Sequence, residues 1–98
     1  MGACNFENIA AGKTAREAFS AAVAEAKYEY GHGGYTGTIA EKRGFVMMSD
    51  GALPLEKARA LADRAIDDGD ARIDDKWGPA GCVPLADGRF YFFGWASE

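Results

Sequence analysis

The chain has 98 residues, which is room for a single domain. Hydrophobic residues make up 48% and charged residues 27%, the balance of an ordinary globular protein rather than a disordered one. The formal net charge of −4 argues against direct nucleic-acid binding, because that activity needs a basic face to neutralise phosphates.

The N-terminal segment shows no basic stretch followed by an apolar core, and no run of residues approaches the length of a membrane span. Only two cysteines occur, Cys4 and Cys82. We therefore expect a cytoplasmic protein with two reduced thiols and no membrane contact. A disulfide between these cysteines stays open as an alternative, because spacing along the chain does not reveal the geometry it needs.

Two helices are predicted from periodicity and from their end signals. Thr14 and Glu17 have the capping-box spacing, and Gly31 suits the end of the helix that follows. Pro54 suits the first turn of the second helix, and Gly69 its end. The apolar stripes are Ala15, Ala18, Phe19, Ala22, Val23, Ala26 and Tyr30 in the first helix, and Leu55, Ala58, Leu61, Ala62, Ala65 and Ile66 in the second.

Four segments are predicted to be strands: 38–42, 45–49, 81–86 and 89–96. Residues 3–10 are either a short edge strand in front of them or an arm held by Phe6 and Ile9. Gly44 suits the positive-φ position of a hairpin between the first two of the four segments. Asp87-Gly88 is the strongest hairpin signal in the chain. The last segment is apolar on both faces, so it must be covered on both or present one face to a partner.

The predicted fold is α+β, a two-layer sandwich with two helices packed on one face of an antiparallel sheet of four to five strands. The element order is (β)αββαββ, and residues 1–98 form one domain. In this arrangement the opposite face of the sheet would leave either Tyr91, Phe93 and Trp95 or their counterparts on the other face of the last strand partly exposed, and the sequence leaves open which face it is.

No motif for a metal or a phosphate loop is complete, so we expect no metal and no cofactor. Gly12-Lys13-Thr14 resembles the end of a P-loop, but Glu7 occupies the position that needs glycine. The aspartate-rich stretch 67–75 fits no calcium-binding loop in either frame. Cys4, Cys82 and His32 lack the close spacing of zinc ligands.

The segment YEYGHGGYTG, residues 28–37, is the most unusual part of the chain. Its glycines free backbone amides that can form an anion-binding nest, and its tyrosines have the flat apolar face and polar tip used in recognition. Arg43 or Lys42 could complete an anion site, and a second aromatic loop carries Trp77. The candidate binding residues are Tyr28, His32, Gly33, Gly34, Tyr35, Arg43 and Trp77; alternatively, the tyrosines plug the core and the glycines only route the chain.

The segments YEYGHGGYTGTIAEK (28–42) and DKWGPAGCVPL (75–85) resemble stretches of small bacterial and phage proteins to which no activity, fold or site is attached. For a chain of this size, the phage association implies a protein that blocks a host defence by binding to one of its components.

The sequence leads to three hypotheses about function. The first is a small non-enzymatic binding module that inhibits or adapts another protein. The second is a protein that sequesters a small nucleotide-like anion through glycine amides, Tyr35, His32 and Arg43, with the site either within one chain or completed across a homodimer interface. The third is an enzyme that uses His32, the only histidine, as acid or base.

Overall fold

The computed structural model describes residues 3–30 and 37–97. These residues form one four-stranded mixed sheet in the order β1-β4-β3-β2, two α-helices and a short 3-10 turn. The bounds in chain order are β1 Ala3–Ala11, α1 Ala15–Tyr30, the 3-10 turn Ile39–Glu41, β2 Phe45–Met47, α2 Leu55–Asp68, β3 Ala80–Pro84 and β4 Arg89–Ser97. The predicted α+β class is confirmed. Neither α1 nor α2 combines the length and the apolar character that a transmembrane helix requires.

The predicted start of α1 and the predicted end of α2 are confirmed by their hydrogen bonds, whereas Gly31, predicted to end the first helix, lies outside the described residues. The Glu17 amide donates to Thr14 Oγ1 at 3.2 Å, and α1 begins at the next residue after that threonine. α2 begins directly after Pro54 and ends at Gly69, whose left-handed conformation (φ 66°, ψ 45°) lets its amide reach the last carbonyls of the helix.

The predicted hairpin over 38–42 and 45–49 is wrong. Residues Ile39–Glu41 form a 3-10 turn instead, capped by Thr38, whose hydroxyl accepts from the Ala40 amide at 3.2 Å. β2 pairs in parallel with β3, so the sheet is mixed rather than antiparallel, and Gly44 does not take a positive φ. The physical reason is that a threonine side chain offers the backbone local hydrogen bonds that compete with strand pairing.

The two helices lie against opposite faces of the sheet rather than together on one face. α1 packs with Cys82 and Phe92, whereas α2 packs with Val83, Tyr91 and Phe93, which point the other way along the same strands. The topology explains this arrangement. β1, β2 and β3 run parallel, and the chain crosses from one edge to the other through α1 and then steps back through α2. Two right-handed crossovers in opposite directions place their helices on opposite faces.

The apolar last strand is therefore central and covered on both faces. The side chains of Tyr91, Phe92 and Phe93 are each at most 2% exposed. Phe92 meets Phe19 and Phe45 edge-on, with ring centroids 5.6 and 5.9 Å apart. The predicted exposure of Tyr91 and Phe93 is wrong because α2 covers them, and Trp95 is half-buried.

The two cysteines are free thiols on strands either side of β4. Cys4 lies opposite Ala96 and Cys82 lies opposite Phe92. Two strand spacings and four residues of offset separate them by roughly 16 Å. A disulfide needs Cα atoms within about 7 Å, so the alternative of a bridge between these cysteines is ruled out.

Candidate functional site

The predicted binding residues divide into two groups. His32, Gly33, Gly34 and Tyr35 lie outside the described residues, so their prediction is not tested. Tyr28, Arg43 and Trp77 are all exposed, and the exposed fraction reaches 91% for Tyr28 and 63% for Trp77.

The three described candidates gather at one end of the sheet. Arg43 comes just before β2 and Trp77 just before β3, and these strands start side by side with Phe45 opposite Ala80. α1 runs back along the sheet after β1, so its last turn, with Tyr28, returns to the end where β1 begins. Because β1, β2 and β3 are parallel, Arg43, Trp77 and the last turn of α1 all lie at the end of the sheet where these three strands begin. We call this end of the sheet the loop end.

The loop that carries Trp77 is folded by hydrogen bonds within the loop. Asp75 Oδ1 accepts from the Trp77 amide at 2.9 Å, and the Asp75 carbonyl accepts from the Gly78 amide at 2.8 Å. The ammonium of Lys76 lies over the indole, 5.4 Å from its centroid. The indole is thus presented to solvent from a compact turn.

Lys42 attaches this loop to the body of the protein. Its side chain is only 4% exposed, and its ammonium donates to the carbonyls of Asp75, Lys76 and Gly78 at 3.5, 3.0 and 2.9 Å. Loss of water around the buried ammonium lowers the pKa of Lys42. Because these carbonyls take its hydrogen bonds, Lys42 is not placed to complete an anion site, and only Arg43 retains that predicted role.

Glu41 holds the exit of the glycine-rich segment. One carboxylate oxygen accepts from the Gly37 amide at 2.6 Å, and the other accepts from the Ser97 amide at 2.9 Å. The Gly37 amide also donates to the Ser97 carbonyl at 2.7 Å, and the Cys4 thiol donates to the Gly37 carbonyl at 3.4 Å. Gly37 has a φ of 69°, a conformation that favours glycine.

Two adjacent residues of opposite charge therefore organise the loop end: Glu41 fixes the segment that leaves the glycine-rich stretch, and Lys42 fixes the tryptophan loop. Sequence reasoning missed both roles because 38–42 was predicted to be a strand, in which neighbouring side chains point to opposite faces. The one available signal was an acid–base pair lying between two glycine-containing aromatic loops.

Cys82, Tyr91 and Ser49, three side chains that could react, are buried or engaged in structural contacts. Burial raises the pKa of the Cys82 thiol to about 12, so it is not a nucleophile near neutral pH. The Tyr91 hydroxyl donates to Glu7 Oε2 at 2.6 Å. The pKa of Tyr91 is raised, mainly because the hydroxyl is buried and secondly because of this hydrogen bond. The Ser49 hydroxyl donates to the Gly51 carbonyl at 2.8 Å. What the loop end offers chemically is an exposed aromatic surface on an ordered backbone.

Fold and site together define a small α+β domain with an aromatic loop held rigidly at one end of its sheet. Comparison of the chain with models of known families, with curated proteins and with solved structures finds no match. The resemblance to small bacterial and phage proteins gains no support from these comparisons.

Proposed function

We propose that the protein is a non-enzymatic binding module whose loop end docks onto another protein and inhibits or adapts it. The observation that carries the proposal is the exposure of Trp77, 63%, on a loop that Lys42 attaches to the core through three backbone carbonyls.

An exposed tryptophan on a fixed loop suits protein recognition for two reasons. Tryptophan is enriched among the few residues that carry most of the binding energy of an interface, because its large ring loses much apolar surface to water on docking. A loop that is already ordered loses little conformational entropy when it binds, so more of that energy appears as affinity. Tyr28 and Arg43, at the same end of the sheet, would extend the contact.

A more specific version of the proposal is that the inhibited partner is a host defence protein, and this version is based on the sequence resemblance alone. The second function, sequestration of a nucleotide-like anion at the glycine-rich loop, depends on Arg43 and on residues outside the described part of the chain. It stays a hypothesis beside the first.

The test places a photo-crosslinking amino acid at position 77 in cells that naturally produce the protein. Met47 serves as the matched control, because it is also a large apolar residue, 41% exposed, but it is the last residue of β2, beyond the strand starts that define the loop end. We expect a partner that crosslinks from position 77 and not from position 47. Adducts that are the same from both positions would argue against the loop end as the docking surface.

The partner, once identified, is purified and its affinity measured by titration calorimetry. Trp77→Ala should weaken binding by about thirtyfold or more, as expected for a central anchor, while Met47→Ala should change it by less than about twofold. Unchanged thermal unfolding of both variants would show that the fold is intact. Equal affinity of Trp77→Ala and the parent protein would refute the proposed role.

A further inference from the structure

A groove of about 450 Å³ runs along one side of α2, from Leu53 before the helix to Arg72 after it. Its floor is apolar and includes Met48, Leu53 and Leu61, of which Met48 is buried and the two leucines are half-buried. The volume lies within the range of small-molecule sites, which are mostly apolar with a few placed polar groups. The floor is therefore suited to an apolar body of modest size.

The rim of the groove carries an excess of positive charge. Lys57, Arg64 and Arg72 line it together with two carboxylates, Asp68 and Asp70. Arg72 is committed to Asp70 through two hydrogen bonds of 3.0 and 2.7 Å, and this contact lowers the pKa of the Asp70 carboxyl to about 2. That ion pair is internally neutral, which leaves two cations facing the single carboxylate of Asp68.

Lys57 and Arg64 are the cations available to a ligand. Both side chains are exposed, and neither forms an ion pair or hydrogen bond with any residue in the described ranges. They are seven residues apart in one helix, so they lie on the same side, about 10 Å apart along its axis. An anionic group held by either would sit directly beside the apolar floor.

We propose that this groove binds a small amphipathic anion, namely a compact apolar chain or ring that ends in a phosphate, sulfonate or carboxylate. The apolar part would lie over Leu53 and Leu61, and the head group would accept hydrogen bonds from Arg64 and Lys57. The inference is independent of the proposed function, because the lining of the groove includes none of Tyr28, Lys42, Arg43 and Trp77.

The test titrates octyl phosphate, below its aggregation concentration, into the isotopically labelled protein and follows the methyl signals of Leu53 and Leu61 by NMR. Octyl glucoside supplies the same chain without charge, and inorganic phosphate supplies the head group without the chain. We expect saturable shifts with octyl phosphate and at least about tenfold weaker binding of either control. No saturable shift up to about 5 mM octyl phosphate would overturn the proposal.

Variants separate charge recognition from simple apolar adsorption. Arg64→Ala should weaken binding of octyl phosphate by about tenfold, whereas Arg16→Ala, which removes an exposed arginine from α1, should leave it unchanged. Equal effects of the two variants, or equal binding of octyl glucoside, would overturn the proposal. It would also be overturned if an acidic amphipathic peptide shifted these methyls while octyl phosphate did not, because the groove would then be a surface for macromolecules.

Discussion

Replacement of Lys42 by methionine tests the central contact of the loop end. Methionine retains an unbranched apolar stem of similar length but removes the ammonium, so the carbonyls of Asp75, Lys76 and Gly78 lose their shared donor. Lys42 is 4% exposed, and its stem therefore stays in the same buried position. The change isolates the hydrogen bonds from the packing.

The magnitude follows from two opposing effects. Hydrogen bonds that involve a charged group contribute about 1.5–3 kcal/mol, and three acceptors are affected. Part of this lost free energy is recovered, because the variant no longer buries a charge and because water can form hydrogen bonds with the carbonyls of a surface loop. We expect a net loss of about 2 kcal/mol in the free energy of unfolding, which for a domain of this size lowers Tm by about 10 °C.

The assay is urea unfolding followed by circular dichroism, with amide hydrogen exchange as a local measure. Lys13→Met is the matched control, because Lys13 is exposed, and it should change the free energy of unfolding by less than about 0.5 kcal/mol. Exchange at the amides of Trp77 and Gly78 should accelerate only in Lys42→Met. If the two variants are equally stable and the loop amides exchange as in the parent, the ammonium does not hold the loop.

Two further predictions concern the interior. Gly81→Ala should lower the free energy of unfolding by about 1–3 kcal/mol, measured by heat or urea, because a Cβ at this position would lie 2.6 Å from the ring of Phe93. In the control Gly51→Ala, the new Cβ meets no atom within 4 Å and stability should not change, so equal stability of the two variants would contradict the packing described. A thiol reagent at pH 8 should label half-buried Cys4 in the native protein but should reach Cys82 only after unfolding, because the Cys82 thiol is fully buried and its pKa is raised to about 12. Labelling of both cysteines at the same rate would be inconsistent with this structure.

Local elements were predictable because their causes lie within a few residues. The Thr14–Glu17 spacing starts α1 and Gly69 ends α2, since caps act through hydrogen bonds between near neighbours. Asp87-Gly88 closes the last hairpin for the same kind of reason. Of the candidate site, the exposure of Tyr28, Arg43 and Trp77 agrees with a binding role, which itself stays a prediction.

The features that sequence reasoning missed depend on residues far apart in the chain. The parallel pairing of β2 with β3 and the opposite placement of the helices follow from the order of strands in the sheet, which no local pattern encodes. The roles of Glu41 and Lys42 arise because the tertiary fold brings Ser97 and the 75–78 turn beside them.

For this protein, the sequence by itself determined the start of α1, the end of α2, the last hairpin and the strongly apolar last strand, because these depend on local hydrogen bonding and on composition. Only the tertiary structure decided that both faces of that strand are covered, and that one acid–base pair holds the loops at one end of the sheet. Burial and long-range hydrogen bonds depend on which segments meet in space, and that is settled when the whole chain packs.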